Sequence, residues 1–301
     1  MLNKYIYHEP KENHLVGIMH LKKNLFSLMM EAKFLNRIAI IPPLHLSPKH
    51  NNDVPVIANW DKYILLNKLN LFNPIVSLED YGEIDYRKCK LIDENIQPNQ
   101  IIHESNQMIV RKHNQYPNYY ILINFFANKN WKIKLINLFQ PSKLVAKYAK
   151  IAISKMENYH CIHIRRGDKL KWKQCPGLDR KTRPEYIKKF LINILPKGET
   201  IYIMSNEKEP NFFDLLKNSY NLITYKDFPE FIQIGSVDNY LLFSIENEIM
   251  KNATTKVRTF KENGHLSLLN YPPDGVELLS SKIRRRMRFI FKKINNFLSI
   301  L

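Results

Sequence analysis

Residues Tyr159–Lys169, YHCIHIRRGDK, decide the reading of this chain. Tyr159, Cys161 and His163 alternate with Ile162 and Ile164. A run this short and β-rich, closed by a turn signal, predicts a buried strand. Arg165 and Arg166 then fall at its carboxyl end, where ligands of open α/β sheets bind because loop groups converge there without competing with the ladder. An arginine at such a place offers a planar fork that matches phosphate or carboxylate oxygens two at a time. Gly167 permits a bend or a close approach that a Cβ would block. The stretch therefore suits a diphosphate or carboxylate clamp. Taken alone, Arg165, Arg166 and Asp168 better suit an ordinary ion network at the end of a strand.

With 301 residues, 45% hydrophobic and 12% aromatic, the chain has enough material for one large or two modest cores and is not a disordered sequence. A formal charge of +18 and an isoelectric point near 9.6 point to an anionic partner without choosing among nucleic acid, membrane surface and phosphorylated substrate. The three cysteines, Cys89, Cys161 and Cys175, form no CxxC pair and no even framework. That argues against a structural zinc site and a disulfide scaffold and for a reducing compartment, with a single Cys89–Cys175 bridge left open. The first residues, MLNKYIYHEPKENH, lack the apolar core of a signal segment, and no window reaches the length of a membrane span, so a cytoplasmic location is expected.

Along the chain, Tyr5–Tyr7 reads as a first strand and Leu21, Leu25, Leu28, Ala32 and Leu35 as the buried stripe of a helix, ended by Asn36 and Arg37. Ile38–Ile41 is a strand closed by Pro42 and Pro43. This is a β-loop-α-β unit, with the loop at Gly17 facing the start of the helix, where amides can meet an anion. Residues 44–118 read as short elements and loops, and Ile121–Phe126 as a strand. A helix from about Ser142 to Met156, with Leu144, Val145, Tyr148, Ile151 and Ala152 inward, leads into Tyr159. Beyond Lys169 come a helix opened by Arg183-Pro184-Glu185, a strand at Ile201–Met204 ending in Ser205-Asn206-Glu207, a helix near Asn211–Asn218, and a strand at Leu222–Tyr225. A helix over Ser236–Asn252 and a strand at Lys256–Phe260 follow. Strands alternating with helices predict an α/β fold with mostly parallel sheets.

His163, Arg165, Arg166, Asp168 and Lys169 resemble the H-x-R-R-x-D-K signature of the α1,6-, α1,2- and protein O-fucosyltransferase superfamily, which includes the rhizobial Nod-factor fucosyltransferases. Leu35-Asn36-Arg37 and Ile40-Ile41-Pro42-Pro43 are similar to its L-N-R-T-L-V-L-P-P pattern. Ser205-Asn206-Glu207 is similar to its Thr/Ser-Asp-Asp/Glu, and Glu246, Ala253, Val257 and Thr259 fit its C-terminal pattern. The chain departs from the superfamily in having Val16-Gly17 for paired glycines, His20-Leu21-Lys22 for Asn/Gln-Arg, and Lys261-Glu262 for a Ser-Ser pair.

The resemblance implies a GT-B-like arrangement of two Rossmann-like domains, residues 1–140 on the acceptor side and 141–277 on the nucleotide-sugar side. It also implies an inverting, metal-independent transfer of fucose from GDP-fucose to a glycan or glycolipid, with no cofactor. The sequence agrees in having no DxD motif. By the resemblance Arg166 takes the β-phosphate, Arg165 and Lys169 support it, and His163 approaches the nucleotide. Ser205, Asn206 and Glu207 would contact guanine or ribose, Glu246 would bind guanine or anchor the arginines, and Gly17 and Thr259 would complete the donor site. Asp168, a weak base beside two guanidiniums, is expected to orient those cations. Candidates for the base are Asp61, His20 and Glu185, in that order. Trp60 is expected to pack rather than to stack on a sugar.

Residues 278–301 differ in kind. Ile283, Met287, Ile290, Ile294, Phe297 and Leu301 recur at spacings of four and three among seven Lys and Arg and no acid. This predicts a basic amphipathic helix, suited either to an anionic membrane surface, which its lack of acids favours, or to packing on the N-terminal domain. A peripheral position at the inner face of the membrane follows from the first reading. No nucleic-acid motif accompanies the charge, so no nucleic acid is expected. Two other functions stay open: an enzyme using another nucleotide sugar, and a non-catalytic basic scaffold for anionic glycan, lipid or nucleic acid.

Overall fold

A computed structural model describes residues 3–10, 17–54, 56–93, 95–112, 129–171, 177–258 and 267–268, and the chain divides between Ser142 and Lys143 into two α/β units. The expected strand at Ile121–Phe126 and the basic segment 278–301 lie outside the described residues, as do Cys175 and Thr259.

The first unit holds β1 (Tyr5–Glu9), β2 (Ile38–Ile41), the antiparallel pair β3 (Leu44–Leu46) and β4 (Val56–Ala58), then β5 (Ile75–Ser77), β6 (Cys89–Asp93) and β7 (Met108–Lys112). Five of these make a wholly parallel sheet in the order β5-β2-β1-β7-β6. The helix Ile18–Phe34 connects β1 to β2, as its apolar spacing predicts, and Asn36 turns out of it at φ 51°. Its C-terminal half is buried beyond the expected stripe, including Phe26, Met29 and Met30. The sequence shows one stripe because it does not reveal a second covering layer, the helix Lys129–Leu138, whose neighbour Phe139 meets the Phe26 ring at 6.1 Å.

Between the helix Ile18–Phe34 and the sheet lies an ion network formed by Glu31 of that helix, Arg111 of β7 and His8 of β1, with Glu31 and Arg111 sealed from solvent. Arg111 Nε donates to Glu31 Oε2 at 2.9 Å, its Nη2 donates to Glu31 Oε1, and its Nη1 donates to the carbonyls of Asp93 and Ile96, both at 2.9 Å. His8 Nε2 lies 2.6 Å from Glu31 Oε2. Burial alone would raise the Glu31 pKa, but Arg111 and His8 outweigh it and bring it down to about 2. The pair is thus a carboxylate beside a guanidinium, while burial holds the His8 imidazole below its usual value.

The second unit carries β8 (Tyr159–Ile164), β9 (Thr200–Ser205), β10 (Asn221–Ile223), β11 (Lys256–Arg258) and β12 (Ser267–Leu268), ordered β10-β9-β8-β11-β12. All neighbours are parallel except β11 and β12. One sheet face packs Ile162, Ile164, Ile201, Ile203 and Val257 against Ile187 and Leu191 of the helix Pro184–Leu191. The other meets the helix Asn239–Asn252, to which Tyr159 donates its hydroxyl hydrogen at the Ile249 carbonyl, 2.6 Å away.

Several sequence expectations are corrected here. The helix expected over Ser236–Asn252 is two, Pro229–Val237 and Asn239–Asn252, because Asp238 breaks the run and its carboxylate accepts the Leu241 N–H at 2.9 Å as an N-cap. The helix near Asn211–Asn218 shortens to Asp214–Lys217, and β10 ends at Ile223. In the helix Lys143–Ser154, Val145, Ala149 and Ala152 are buried, whereas Leu144, expected inward, is exposed. Among the described residues no helix is long and apolar enough to cross a membrane.

Candidate functional site

The site is built from the parity of β8. Ile162 and Ile164 belong to the core cluster under the helix Pro184–Leu191, and Arg166 continues their side. Cys161, His163 and Arg165 continue the other. The two adjacent arginines therefore leave the strand toward opposite faces of the sheet, and their surroundings differ.

Arg166 is buried, and its guanidinium is already engaged. Nε donates to Glu207 Oε2 at 2.5 Å, Nη2 to Asp179 Oδ1 at 2.8 Å, and Nη1 to Thr182 Oγ1 at 2.6 Å and to the Asp179 carbonyl at 3.2 Å. The plane lies over the Phe212 ring, with Cζ 4.4 Å from the centroid. Asp179 also accepts from Arg183 Nη2 at 2.7 Å and Nε at 3.0 Å. Two guanidiniums and two carboxylates thus cancel. These protein acceptors hold the guanidinium that the resemblance assigns to the β-phosphate.

Glu207 and Asp179 are held ionised for this purpose. Burial works to raise the Glu207 pKa, but the Glu209 amide, the Arg166 guanidinium and the Lys208 amide together bring it below the usual range. Arg166 and Arg183 do the same for Asp179.

The Ser205-Asn206-Glu207 turn, expected to contact guanine or ribose, holds the same loop. Ser205 Oγ donates to the Ile164 carbonyl at 2.8 Å and accepts the Glu207 N–H at 3.1 Å. Asn206 Oδ1 accepts the Arg166 N–H at 2.8 Å. Gly167 sits at φ 43°, in the left-handed region that favours glycine, and starts the turn Gly167–Lys171, to which Asp168 lends its backbone. The Lys169 N–H donates to the Arg166 carbonyl at 2.8 Å.

On the opposite face, His163 and Arg165 are half-buried. The His163 ring makes an edge contact with Phe243 at 6.3 Å. Burial, then the charges of Arg165 and Arg258, push its pKa down to about 4, so it is a neutral imidazole at physiological pH. Glu246, expected to touch guanine or the arginines, accepts a hydrogen bond from the Tyr202 hydroxyl at 3.0 Å. Its burial pushes it up to about 8 and keeps it protonated at neutral pH.

Of the other expected residues, Gly17 and Asp61 belong to the first unit. Gly17 precedes the helix Ile18–Phe34 at φ −72°, an ordinary conformation for any residue, and its carbonyl accepts the His20 N–H at 2.9 Å. Asp61 is exposed in the turn Trp60–Lys62, and its Oδ1 accepts the Leu66 N–H at 3.2 Å. Trp60 packs, as expected: it is buried and its indole N–H donates to the Pro42 carbonyl at 2.8 Å. Glu185 is an exposed acid in the first turn of its helix, where it favours the helix dipole.

Sequence reasoning overlooked Asp179 and Arg258. The i, i+4 pairing of Asp179 with Arg183 inside a basic loop signals the first. Alternation in Lys256-Val257-Arg258, which puts both cations on one side of a strand, signals the second.

No protein-family model matches the chain, and no curated protein matches it in sequence. Solved structures do match in fold. POFUT1 in complex with GDP-fucose aligns with a TM-score of 0.53 at 11% identity, covering 86% of this chain and 90% of that one. POFUT1 in complex with GDP gives 0.53 at 10% identity, covering 86% and 91%. The fucosyltransferase NodZ from Bradyrhizobium gives 0.51 at 8% identity, covering 90% of this chain and 100% of its own. At these identities the likeness is one of fold. The chain has the mixed α/β, GT-B-like fold of fucosyltransferases, the superfamily that its strand-end motif resembles.

Proposed function

We propose that this protein is a glycosyltransferase that moves fucose from GDP-fucose to a glycan acceptor by a single, inverting, metal-independent displacement. The observation that carries the reading is the divergence of the two arginines on a fucosyltransferase fold. Arg166 fixes the loop through Glu207 and Asp179, and in our reading Arg165, beside neutral His163 at the carboxyl edge of β8, faces the donor diphosphate.

In this mechanism an acceptor hydroxyl oxygen forms a bond to the anomeric carbon as the bond from that carbon to the β-phosphate oxygen breaks. The electron pair leaves with GDP, and the hydroxyl proton passes to a base, for which Asp61 remains our candidate. Charge grows on the departing diphosphate, and a guanidinium already in place stabilises it without reorganising. Arg165 supplies that charge, with Lys169 in the adjoining turn. Arg166 acts as a positioning residue. The surplus of basic residues, including those in 278–301, fits an acceptor carried at an anionic surface, and we place the reaction at the cytoplasmic face of a membrane on which surface glycans are assembled.

The test is binding and hydrolysis of a panel of GDP- and UDP-sugars, with and without EDTA, by the wild type, Arg165→Ala and Arg166→Lys. GDP-fucose bound and slowly hydrolysed in EDTA, with loss of both in Arg165→Ala, is the expected result. Selective response to another nucleotide sugar would replace fucose in this reading. Indifference to every nucleotide sugar would remove the enzyme altogether and leave a basic scaffold.

A further inference from the structure

We infer that the outer face of the helix Lys143–Ser154 is a docking surface for an anionic lipid bilayer, with Lys143, Lys147 and Lys150 as its contacts. The inference gives the membrane location proposed above a surface on the fold, and it rests on that location.

The three lysines form one straight stripe. Successive helical residues turn by about 100°, so positions 143, 147 and 150 fall within an arc of about 60° and span about 10 Å along the axis. All three are exposed, as are Leu144 and Ala146 beside them. The opposite side, Val145, Ala149 and Ala152, is buried, with the helix Asn239–Asn252 as its neighbour, and this fixes the direction in which the stripe faces.

The stripe runs against the rules that stabilise a helix on its own. The other described helices of the second unit each begin on an acid: Asp179, Glu185, Asp214 and Glu230 lie in first turns, and Asp238 is an N-cap. This helix has no acid at all and begins on Lys143, where the helix dipole disfavours a cation. Lys143 and Lys147 repel each other at a spacing of four, and Lys147 and Lys150 at three. Elsewhere Lys88, Lys90, Lys112, Lys217 and Lys251 each have a carboxylate within 4.0 Å. Among the described residues none of the stripe lysines does, and Lys147 lies over the Tyr148 ring at 5.8 Å. Positions that break local rules without internal compensation are where an outside partner is expected.

The chemistry of the stripe selects a bilayer. Ammonium groups on flexible stems suit many loosely placed charges, such as lipid headgroups, and the stripe has no arginine fork or aromatic platform of the kind that nucleic acids engage. Exposed Leu144 adds an apolar contact at the level of the headgroups.

The experiment measures binding of the full chain to vesicles of phosphatidylcholine with and without phosphatidylglycerol. It compares the wild type, Lys143→Gln/Lys147→Gln/Lys150→Gln, and a control with the same change in net charge, Lys88→Gln/Lys217→Gln/Lys251→Gln, with circular dichroism confirming each fold. We expect the wild type to bind only the anionic vesicles, the stripe variant to bind them about 100-fold more weakly, at about fivefold per lysine, and the control to lose less than about threefold. Equal losses in the two variants, or failure of the wild type to bind anionic vesicles, would overturn the surface. A stripe-dependent loss of affinity for duplex DNA with vesicle binding intact would overturn the bilayer as its occupant. Hydrolysis of GDP-fucose in solution, which the stripe variant should leave unchanged, separates this inference from the enzyme reading. A wild type that binds vesicles through the stripe and hydrolyses no nucleotide sugar would leave the surface standing and remove the enzyme.

Discussion

A Cβ on Gly167 would stand 2.3 Å from Asn206 Nδ2, a distance that real Cβ contacts essentially never show. The same Asn206 accepts the Arg166 N–H through its Oδ1. The strand-end loop after β8 and the Asn206 side chain of the turn after β9 are therefore fitted to each other where a Cβ has no room.

Gly167→Ala should consequently cost twice, once for a Cβ at φ 43°, about 1–2 kcal/mol for a left-handed residue, and again for displacing Asn206. The two costs separate in a double-mutant cycle. Introduced into an Asn206→Ala background, Gly167→Ala should retain the backbone cost and lose the steric one, so the penalties will not add. Additive losses in urea unfolding would mean that Asn206 is not what constrains the glycine.

The neighbouring arginines should behave as different kinds of residue. Arg166→Ala removes the guanidinium that Glu207 and Asp179 share and leaves Asp179 with Arg183. Breaking a buried pair costs about 3–5 kcal/mol, and the partial exposure of Asp179 places this case at the lower end. Arg165→Ala, half-exposed, should change stability by less than about 1 kcal/mol while abolishing donor binding. Measuring unfolding free energy and nucleotide binding for both variants checks the contrast, and equal destabilisation by the two would contradict it.

Much of this was readable in the sequence, and the part that was not has a common cause. The period-two run Tyr159–Ile164 with its turn signal located β8, and the stripe in Ile18–Phe34 located the helix between β1 and β2, because both patterns are local. What holds the Arg166 guanidinium depends on Asp179 and Glu207, 13 and 41 residues away in the chain. The motif marks the strand end without reporting these contacts, because no local pattern joins Arg166 to either acid. β7 was missed for a similar reason. Its Met-Ile-Val-Arg-Lys is short, and its arginine reads as a surface residue unless Glu31, 80 positions earlier, is known to meet it.

Glu246 predicts a specific dependence of stability on pH. Its folded-state pKa, about 8, lies above the ordinary value of 4.5, so the folded protein holds a proton that the unfolded chain releases. Its contribution is fully present below pH 4.5, and stability is lost as pH rises from there through about 8, by as much as about 1.4 kcal/mol per pH unit. Glu246→Gln keeps a hydrogen-bonding group and removes the titration. Unfolding free energies of the wild type and Glu246→Gln, compared from pH 5 to 8, should therefore diverge in favour of the variant at high pH. Parallel curves would show that the Glu246 carboxyl is ionised in the folded protein.

The Glu31–Arg111 pair gives the opposite sign. Glu31 has a folded pKa of about 2 against an ordinary 4.5, so its contribution is present above pH 4.5 and is lost as pH falls toward 2. The difference corresponds to about 3 kcal/mol. Glu31→Gln should destabilise the protein at pH 7 by about 3–5 kcal/mol, since Arg111, sealed between helix and sheet, would lose the carboxylate that accepts from its Nε and Nη2. Removing both charges with Glu31→Gln and Arg111→Met should cost less than the sum of the single changes, because no buried charge is then left uncompensated. Denaturant unfolding at pH 7 and at pH 3 distinguishes this from simple packing. The gap between wild type and Glu31→Gln should narrow in acid, and a gap unchanged between the two pH values would mean that the ion pair does not carry the stability assigned to it.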